Sequence, residues 1–234
     1  MHDSGCVICG GELEYSKNVR MKKCAICGKK VMTNVMCKNG HFVCDECHSG
    51  DGAERARLLL ASEEKDPLLL FRKVVALPSV HLHGPEHHSI VAEVMLTALR
   101  NCGGDVELAA ALREAMRRGA QVPGGTCGYW GVCGAAAGAG IYASIISGAS
   151  PLNGEAWHIP MLLTERIIHR LAEIGGPRCC KRTCSVAIEC SAAFTEEQLG
   201  IKMPCERRPC GFFNRNRECI HEKCPYYPEN MHKK

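Results

Sequence analysis

Aromatic side chains make up only 5% of the 234 residues, and no apolar run is long enough to cross a bilayer. A core must therefore be assembled from aliphatic side chains, alanine and sulfur. The start of the chain, Met1-His2-Asp3-Ser4-Gly5-Cys6, has neither a basic stretch nor an apolar h-region, which predicts no signal peptide and a cytoplasmic protein without membrane contact. Charge of one sign is scarce too. The net charge is +4, its basic surplus lies at the two ends, and solvated loops account for it as well as nucleic acid does. With five Phe, five Tyr and two Trp, stacking surfaces for RNA are thin. Alternating strand patterns are nearly missing beyond residue 50.

Cysteine is what the chain has in abundance: eighteen residues. Without a leader, thiols in such number point to metal binding or reactivity in a reducing compartment rather than to a disulfide scaffold, and suit an anaerobe. The first fifty residues pair cysteines with Gly, Lys and Asn and hold few large apolar residues, so metal must close that segment. Cys6-x2-Cys9-Gly10 and Cys24-x2-Cys27-Gly28 read as knuckles whose turns aim N–H groups at thiolates. Cys37-x3-His41-x2-Cys44-x2-Cys47-His48 completes eight ligands, Cys6, Cys9, Cys24, Cys27, Cys37, His41, Cys44 and Cys47, for two structural zinc ions, with His48 able to replace one. Sequential pairing gives a zinc ribbon followed by a treble-clef-like site; alternate pairing gives a cross-brace. Redox chemistry at a CxxC, or a cluster, is the other use of such pairs.

The expected organisation is a zinc module at 1–50, a linker helix at 51–65, a helical thiol- and histidine-rich domain at 66–200, and a cysteine-rich segment at 201–234 packing on it. The fold class is mainly α, a helical domain with a small zinc-ribbon or treble-clef module. Leu58-Leu59-Leu60 and Leu68-Leu69-Leu70-Phe71 suggest helices interrupted at Asp66-Pro67. Ile90, Val91, Val94, Met95, Ala98 and Leu99 form an apolar stripe on a helix ending at Cys102-Gly103-Gly104. Asp105 is placed as N-cap of a helix closing at Gly119. Further helices are expected at 135–147, 160–174 and 177–193, the last with Pro177 in its first turn, then a capping box at Thr195-Glu196-Glu197-Gln198.

Three constellations in the helical part carry chemistry. His81-Leu82-His83-Gly84-Pro85-Glu86-His87-His88 gathers imidazoles and a carboxylate at a loop-to-helix junction, where His83, His87 or His88 can ligate metal or move protons; an exposed histidine-rich turn is the plainer reading. Cys133 lies at a helix start, where dipole and free N–H groups favour a thiolate. Cys127 lies six residues earlier on a Gly-rich loop that lacks the Lys-Ser/Thr of a Walker motif. Cys179 and Cys180, flanked by Arg178, Lys181 and Arg182, are expected to have lowered pKa values, with Cys184 on the same helix face as Cys180. In the tail, Cys205-x4-Cys210-x8-Cys219-x4-Cys224-Pro225 resembles iron–sulfur ligation more than a zinc finger, with Cys180 and Cys184 as further cofactor ligands; a third zinc site is the alternative.

At His83-Gly84-Pro85-Glu86-His87-His88, Cys127-Gly128-x2-Gly131-x-Cys133-Gly134-Ala135, Gly176-Pro177-Arg178-Cys179-Cys180-Lys181-Arg182 and Asn216-x2-Cys219-x4-Cys224-Pro225-Tyr226, the chain resembles an uncharacterised cysteine-rich family of methanogens and other anaerobes. The resemblance covers roughly residues 66–230. Similar domains accompany radical-SAM methylases, and segment 37–48 resembles a zinc-binding head of such pterin methylases, which implies a radical-SAM or methyltransferase system as partner. The radical-SAM barrel and its CxxxCxxC motif are missing, so that catalysis does not carry over. Cys133-Gly134-Ala135-Ala136-Ala137-Gly138 also resembles the helix start of small redox proteins with a C-GCAxxG-C-C pattern, matched only in part.

Together these features lead to a metalloprotein with two structural zinc ions and an iron–sulfur cluster, acting in redox or sulfur-transfer chemistry with a partner protein. In that reading Cys127, Cys133, Cys179, Cys180, His83, His87 and His88 form the reactive centre. Two other readings are a zinc-dependent partner- or RNA-binding accessory protein, and a zinc enzyme using the histidine cluster.

Overall fold

Glycines at positive φ let the chain double back behind its cysteines. Gly10 (φ 68°), Gly28 (φ 74°) and Gly40 (φ 86°) occupy the left-handed region that L side chains avoid. Each closes a turn by donating its N–H to the carbonyl of the first cysteine, Cys6, Cys24 or Cys37, at 2.7, 3.0 and 2.8 Å. In the computed structural model, which describes residues 5–50 and 52–231, β1 (Leu13–Lys23) and β2 (Lys30–Cys37) form an antiparallel hairpin between these turns. The start of the chain, whose sequence predicts no signal peptide, lies partly outside the described residues, as do Asp51 and residues 232–234.

The hairpin must bend. Its ladder runs from Lys23↔Lys30 to Leu13↔Cys37 with an irregularity between Tyr15 and Arg20. A straight strand of eight residues, the length of β2, would hold its ends about 24 Å apart. Yet His41 and Cys44, one at each end, can be separated by at most about 11 Å of chain. The loop between them ties the ends together: Cys37 N–H donates to His41 O at 2.8 Å, and Ala25 N–H to Phe42 O at 2.8 Å. A short helix, α1 (Asp45–Ser49), follows.

The rest is helical. α2 (Ala53–Leu60) and α3 (Pro67–Val75) are separated at Asp66-Pro67, as expected, because the Asp66 carboxylate caps Leu68 and Leu69 N–H at 2.8 and 3.2 Å. α4 (His87–Asn101) is buried along nearly its whole length and packs against α3, α5 (Leu108–Gly119), α7 (Gly134–Ser147) and α9 (Cys180–Leu199). A single turn, α6 (Thr126–Tyr129), precedes α7, and α8 (Ile159–Ile174) packs on α7 and α9. The tail has only isolated 3-10 turns, at Phe213–Arg215, His221–Lys223 and Pro228–Met231. It is pinned to α3 and α9 by Arg72 donating to Pro209 O (2.8 Å), Glu206 N–H to Asp66 (3.1 Å) and Tyr226 O–H to Glu189 (2.7 Å). No helix among the described residues is long and apolar enough to cross a membrane.

Three expected boundaries moved. α5 is capped by Glu107, whose carboxylate accepts from Ala110 N–H at 2.7 Å, rather than by Asp105. α9 starts at Cys180 with Cys179 as its N-cap, so Pro177, joined to Gly176 by a cis peptide bond, stays outside it. The same helix runs through Thr195 to Leu199, because Thr195 is buried in the core and its hydroxyl meets Tyr142 at 2.7 Å instead of capping a new turn.

α7 owes its position to small residues. A Cβ on Gly138 would stand 2.3 Å from the His88 carbonyl oxygen on α4, backbone that cannot yield easily. Gly138→Ala is therefore expected to destabilise the protein by at least about 1–3 kcal/mol through overpacking, measurable by urea unfolding. An unchanged midpoint would show that α4 and α7 can separate freely.

Candidate metal centres

The head brings its ligands into two groups of four. Cys6, Cys9, Cys37 and His41 form one and Cys24, Cys27, Cys44 and Cys47 the other, with ligand atoms within 4.8 Å of one another in each. The pairing is thus alternate, not the sequential arrangement of a ribbon. Sulfurs on a tetrahedron with ~2.3 Å metal–sulfur bonds stand about 3.8 Å apart. Cys9–Cys37 and Cys27–Cys44 lie at 3.6 and 3.7 Å. Backbone N–H groups two residues on point at Cys6, Cys24 and Cys37 at 3.3–3.4 Å.

The thiols in each group are electrostatically unequal. Hydrogen bonds from Asn39, Gly11 N–H and His41 bring Cys9 down to about 6. Burial raises Cys24, yet N–H donors from Cys27, Cys44 and Ile26 outweigh it and bring it to about 6. Cys47 is pushed up to about 12 by its hydrogen bond to Cys27 and by burial. Burial likewise raises Cys37 and Cys44. Sulfurs this close cannot all carry charge unless a cation sits among them, so both sets fit a metal ion.

A second convergence joins the start of α9 to the tail. Cys179, Cys210, Cys219 and Cys224 line one partly open pocket, walled by Leu68, Phe71, Phe212, Phe213, Tyr226 and Tyr227 and flanked by Lys181, Arg182 and Arg208. Its free space of about 60 Å³ would take about four waters' worth of atoms at roughly 15 Å³ each. The donor pattern of the knuckles recurs here: Phe212 N–H points at Cys210 Sγ and His221 N–H at Cys219 Sγ, both at 3.4 Å. Tyr226 N–H serves Cys224, and Asn216 Nδ2 donates to Cys179 Sγ at 3.5 Å. These sulfurs are not among the groups whose ligand atoms lie within 4.8 Å of one another, so they do not surround a single ion. A third tetrahedral zinc site in the tail is not supported. The ligand sulfurs of a multi-iron cluster stand further apart, because the metals lie inside, and the donor set fits such a group.

The expected cofactor ligands divide accordingly. Cys210, Cys219 and Cys224 meet at the cavity, while the fourth thiol is Cys179. Cys180, Cys184 and Cys205 are not on its wall. Cys205 lies on the other side of the tail, where Asp66, Glu189 and Cys190 act on it. Cys184 is fully buried and its thiol reaches His87 O at 3.7 Å.

Cys180 instead shares with Cys127 and Cys133 a groove of about 450 Å³ between head and body, on which Cys179, His83, His87 and His88 also border. The expected lowering of thiol pKa values at the helix starts does not occur. Burial raises Cys133 and Cys180, and lifts Cys179 to about 12, because desolvation outweighs the dipole and neighbouring cations. Burial raises Cys127 as well.

His83, His87 and His88 are each held in place by hydrogen bonds. His83 Nε2 meets Asn216 Oδ1 at 3.0 Å, and its Nδ1 accepts from Cys180 N–H at 3.4 Å. His87 is held neutral by burial and by Lys181, whose Nζ donates to its Nε2 at 2.8 Å while Nδ1–H goes to Gly84 O at 3.1 Å. His88 Nδ1 donates to Val122 O at 2.8 Å, and its ring fills the space a Cβ on Gly134 would need. None of the three joins a metal-binding group.

The histidine loop nevertheless contributes to a third group: His48, His81 and Glu86, with ligand atoms again within 4.8 Å of one another. His48 comes from α1 of the head and the other two from the loop before α4. Sequence spacing could not reveal this set, nor Asn216, which bridges His83 and Cys179. The signals in the sequence were the imidazoles and carboxylate between residues 81 and 88 and the spare ligand His48.

No curated protein and no solved structure matches the chain. Residues 56–227, the helical body and most of the tail without the head, match a family described as "Family of unknown function (DUF5714)", and the chain belongs to that family.

Proposed function

We propose that this is a redox metalloprotein: two zinc ions hold the head, and an iron–sulfur cluster bound by Cys179, Cys210, Cys219 and Cys224 exchanges electrons with a partner protein. The observation that carries this reading is the convergence of four thiols, from two separate segments, on one aromatic-walled pocket. When bound, the cluster would supply one-electron transfer. The chain's part is to hold it. Aromatic walls keep water from the inorganic core, N–H donors at Cys210, Cys219 and Cys224 stabilise the thiolates, and Lys181 and Arg182 offset their negative charge. Asn216 ties Cys179 to His83, and His83 accepts from Cys180 N–H, so the cavity and the groove share a wall.

Anaerobically isolated or reconstituted protein should be brown and contain iron and acid-labile sulfide in addition to zinc. Cys210→Ser and Cys224→Ser should each lose most of the iron and sulfide, while Cys205→Ser and Cys102→Ser keep them. A colourless protein containing zinc alone after anaerobic reconstitution would overturn the reading. Equal losses in all four variants would do the same.

A further inference from the structure

Glu86 is a buried carboxylate whose close charged partners are imidazoles. Its side chain is 0% exposed, and burying a charge in this way is costly unless close partners compensate. The one short hydrogen bond it accepts is from His81 N–H, at 2.9 Å. Lys181, the nearest buried cation, spends its Nζ on His81 O and His87 Nε2, at 2.7 and 2.8 Å. What faces the carboxylate instead is imidazole. His48 Nδ1 lies 3.3 Å from Oε2, and His81 Nδ1 3.5 Å from Oε1.

Those distances are informative. A charge-assisted N–H···O bond closes to about 2.7–2.9 Å, which neither contact does. Two ligands held at ~2.0–2.2 Å on a tetrahedral ion stand roughly 3.4 Å apart, close to both contacts, one on each oxygen of Glu86; His87 Nδ1, 3.6 Å from Oε1, is instead turned to Gly84 O. The two rings lie 4.3 Å apart, tilted by 52° rather than stacked. Gly84 explains how the ligands meet. A Cβ there would stand 2.1 Å from Glu86 Oε2, 2.4 Å from His48 Cε1 and 2.6 Å from His48 Nδ1, so the absent side chain leaves open the space into which the ligand atoms point.

We infer that His48, His81 and Glu86 form a third metal centre, a mononuclear site for a divalent cation such as zinc or ferrous iron. Two histidines and one carboxylate are the donor set of open catalytic sites rather than of closed structural ones. The imidazoles keep 18% and 30% of their surface exposed, and both rings border the groove between head and body. A coordination position therefore faces the groove and takes a water or a small anionic donor. Cys180 borders the same groove, with Gly84 N–H directed at its sulfur. Because one ligand belongs to the head and two to the body, the ion also fastens the two parts together. None of these ligands takes part in the cluster cavity, so the site can be present or absent regardless of iron–sulfur binding.

The test uses the full chain with its head metals in place. Mild chelation should remove the metal at an open three-ligand site while leaving the closed tetrahedral ones loaded. Cobalt(II) added back should then bind at one equivalent, with a visible spectrum lacking the intense sulfur-to-cobalt bands of the head sites. Azide should shift that spectrum, reporting the open position. His81→Ala should lose the exchangeable equivalent and keep the head zinc. Gly84→Ala removes no ligand but fills the cradle, and should lose it too, which guards against misfolding of either variant alone. Wild-type protein that takes up no exchangeable cobalt, variants that both retain it, or a spectrum indifferent to azide would overturn the inference.

Discussion

Stripping metal from the head is expected to unfold residues 5–50 while the helical body stays intact. The reason is the size of the apolar cluster there. Only Cys24, Phe42 and Cys44 are buried together, with Val31, Val43 and Cys47 beside them, and half of these are cysteines. So small a cluster contributes a few kcal/mol at most, far below the conformational entropy of ordering such a segment. Binding of a structural zinc ion supplies roughly 10–16 kcal/mol in small metal-closed modules. Cys44→Ser, which removes a buried ligand from the second group, should therefore expose β1 and β2 to limited proteolysis, while the segment from α2 to the tail resists. The body has its own continuous core, running from Leu59 through α4 and α7 to Tyr226. A head that stays protease-resistant after complete metal removal would show that its contacts with the body hold it instead. Those contacts include Asp45 accepting from Gly124 N–H at 3.0 Å and Arg178 over the Tyr15 ring at 5.4 Å.

The second large effect is expected where the body begins. Arg55 of α2 and Glu93 of α4 form a bidentate pair, Nε–Oε2 at 3.1 Å and Nη2–Oε1 at 3.2 Å, with side chains 4% and 0% exposed. Arg55 also donates to Ser49 O at 3.4 Å, which ties the end of the head to the helix core. Glu93→Ala would remove the carboxylate that pairs with the Arg55 guanidinium, and removing one partner of a buried pair typically costs about 3–5 kcal/mol. Replacing both by leucine removes both charges together, so Arg55→Leu/Glu93→Leu should be the milder change. Urea unfolding of the three proteins measures this directly. A double variant as damaged as Glu93→Ala would mean that shape and the Ser49 contact, not charge compensation, account for the effect.

How much of this was legible beforehand depends on the range of the interaction. The break at Asp66-Pro67 could be read because a side chain caps amides two and three residues away. The knuckles could be read because their turns close within four residues. The start of α9 was misplaced by three residues, since Pro177 suits a first turn locally but the packing of Cys179 and Arg182 sets the true one. The thiol pKa values went the other way for a related reason. A helix-start dipole is visible in sequence, whereas the depth of burial that outweighs it is not.

Sequence alone determined that this protein is helical beyond a small cysteine-rich head, and that sulfur and imidazole rather than aromatic packing organise its special sites. Tertiary structure alone decided which of them meet. Alternate and sequential pairing of the head ligands are equally compatible with the same spacings, and only the bend of the hairpin selects one. Cys179 and Cys180 are neighbours in the chain, yet Cys179 lines the aromatic-walled pocket and Cys180 only the groove, because successive side chains at a helix start project in different directions. His48 and Glu86 are thirty-eight residues apart and come together because the head docks where α4 begins. A centre made of donors from separate elements is a property of packing, which no local pattern encodes.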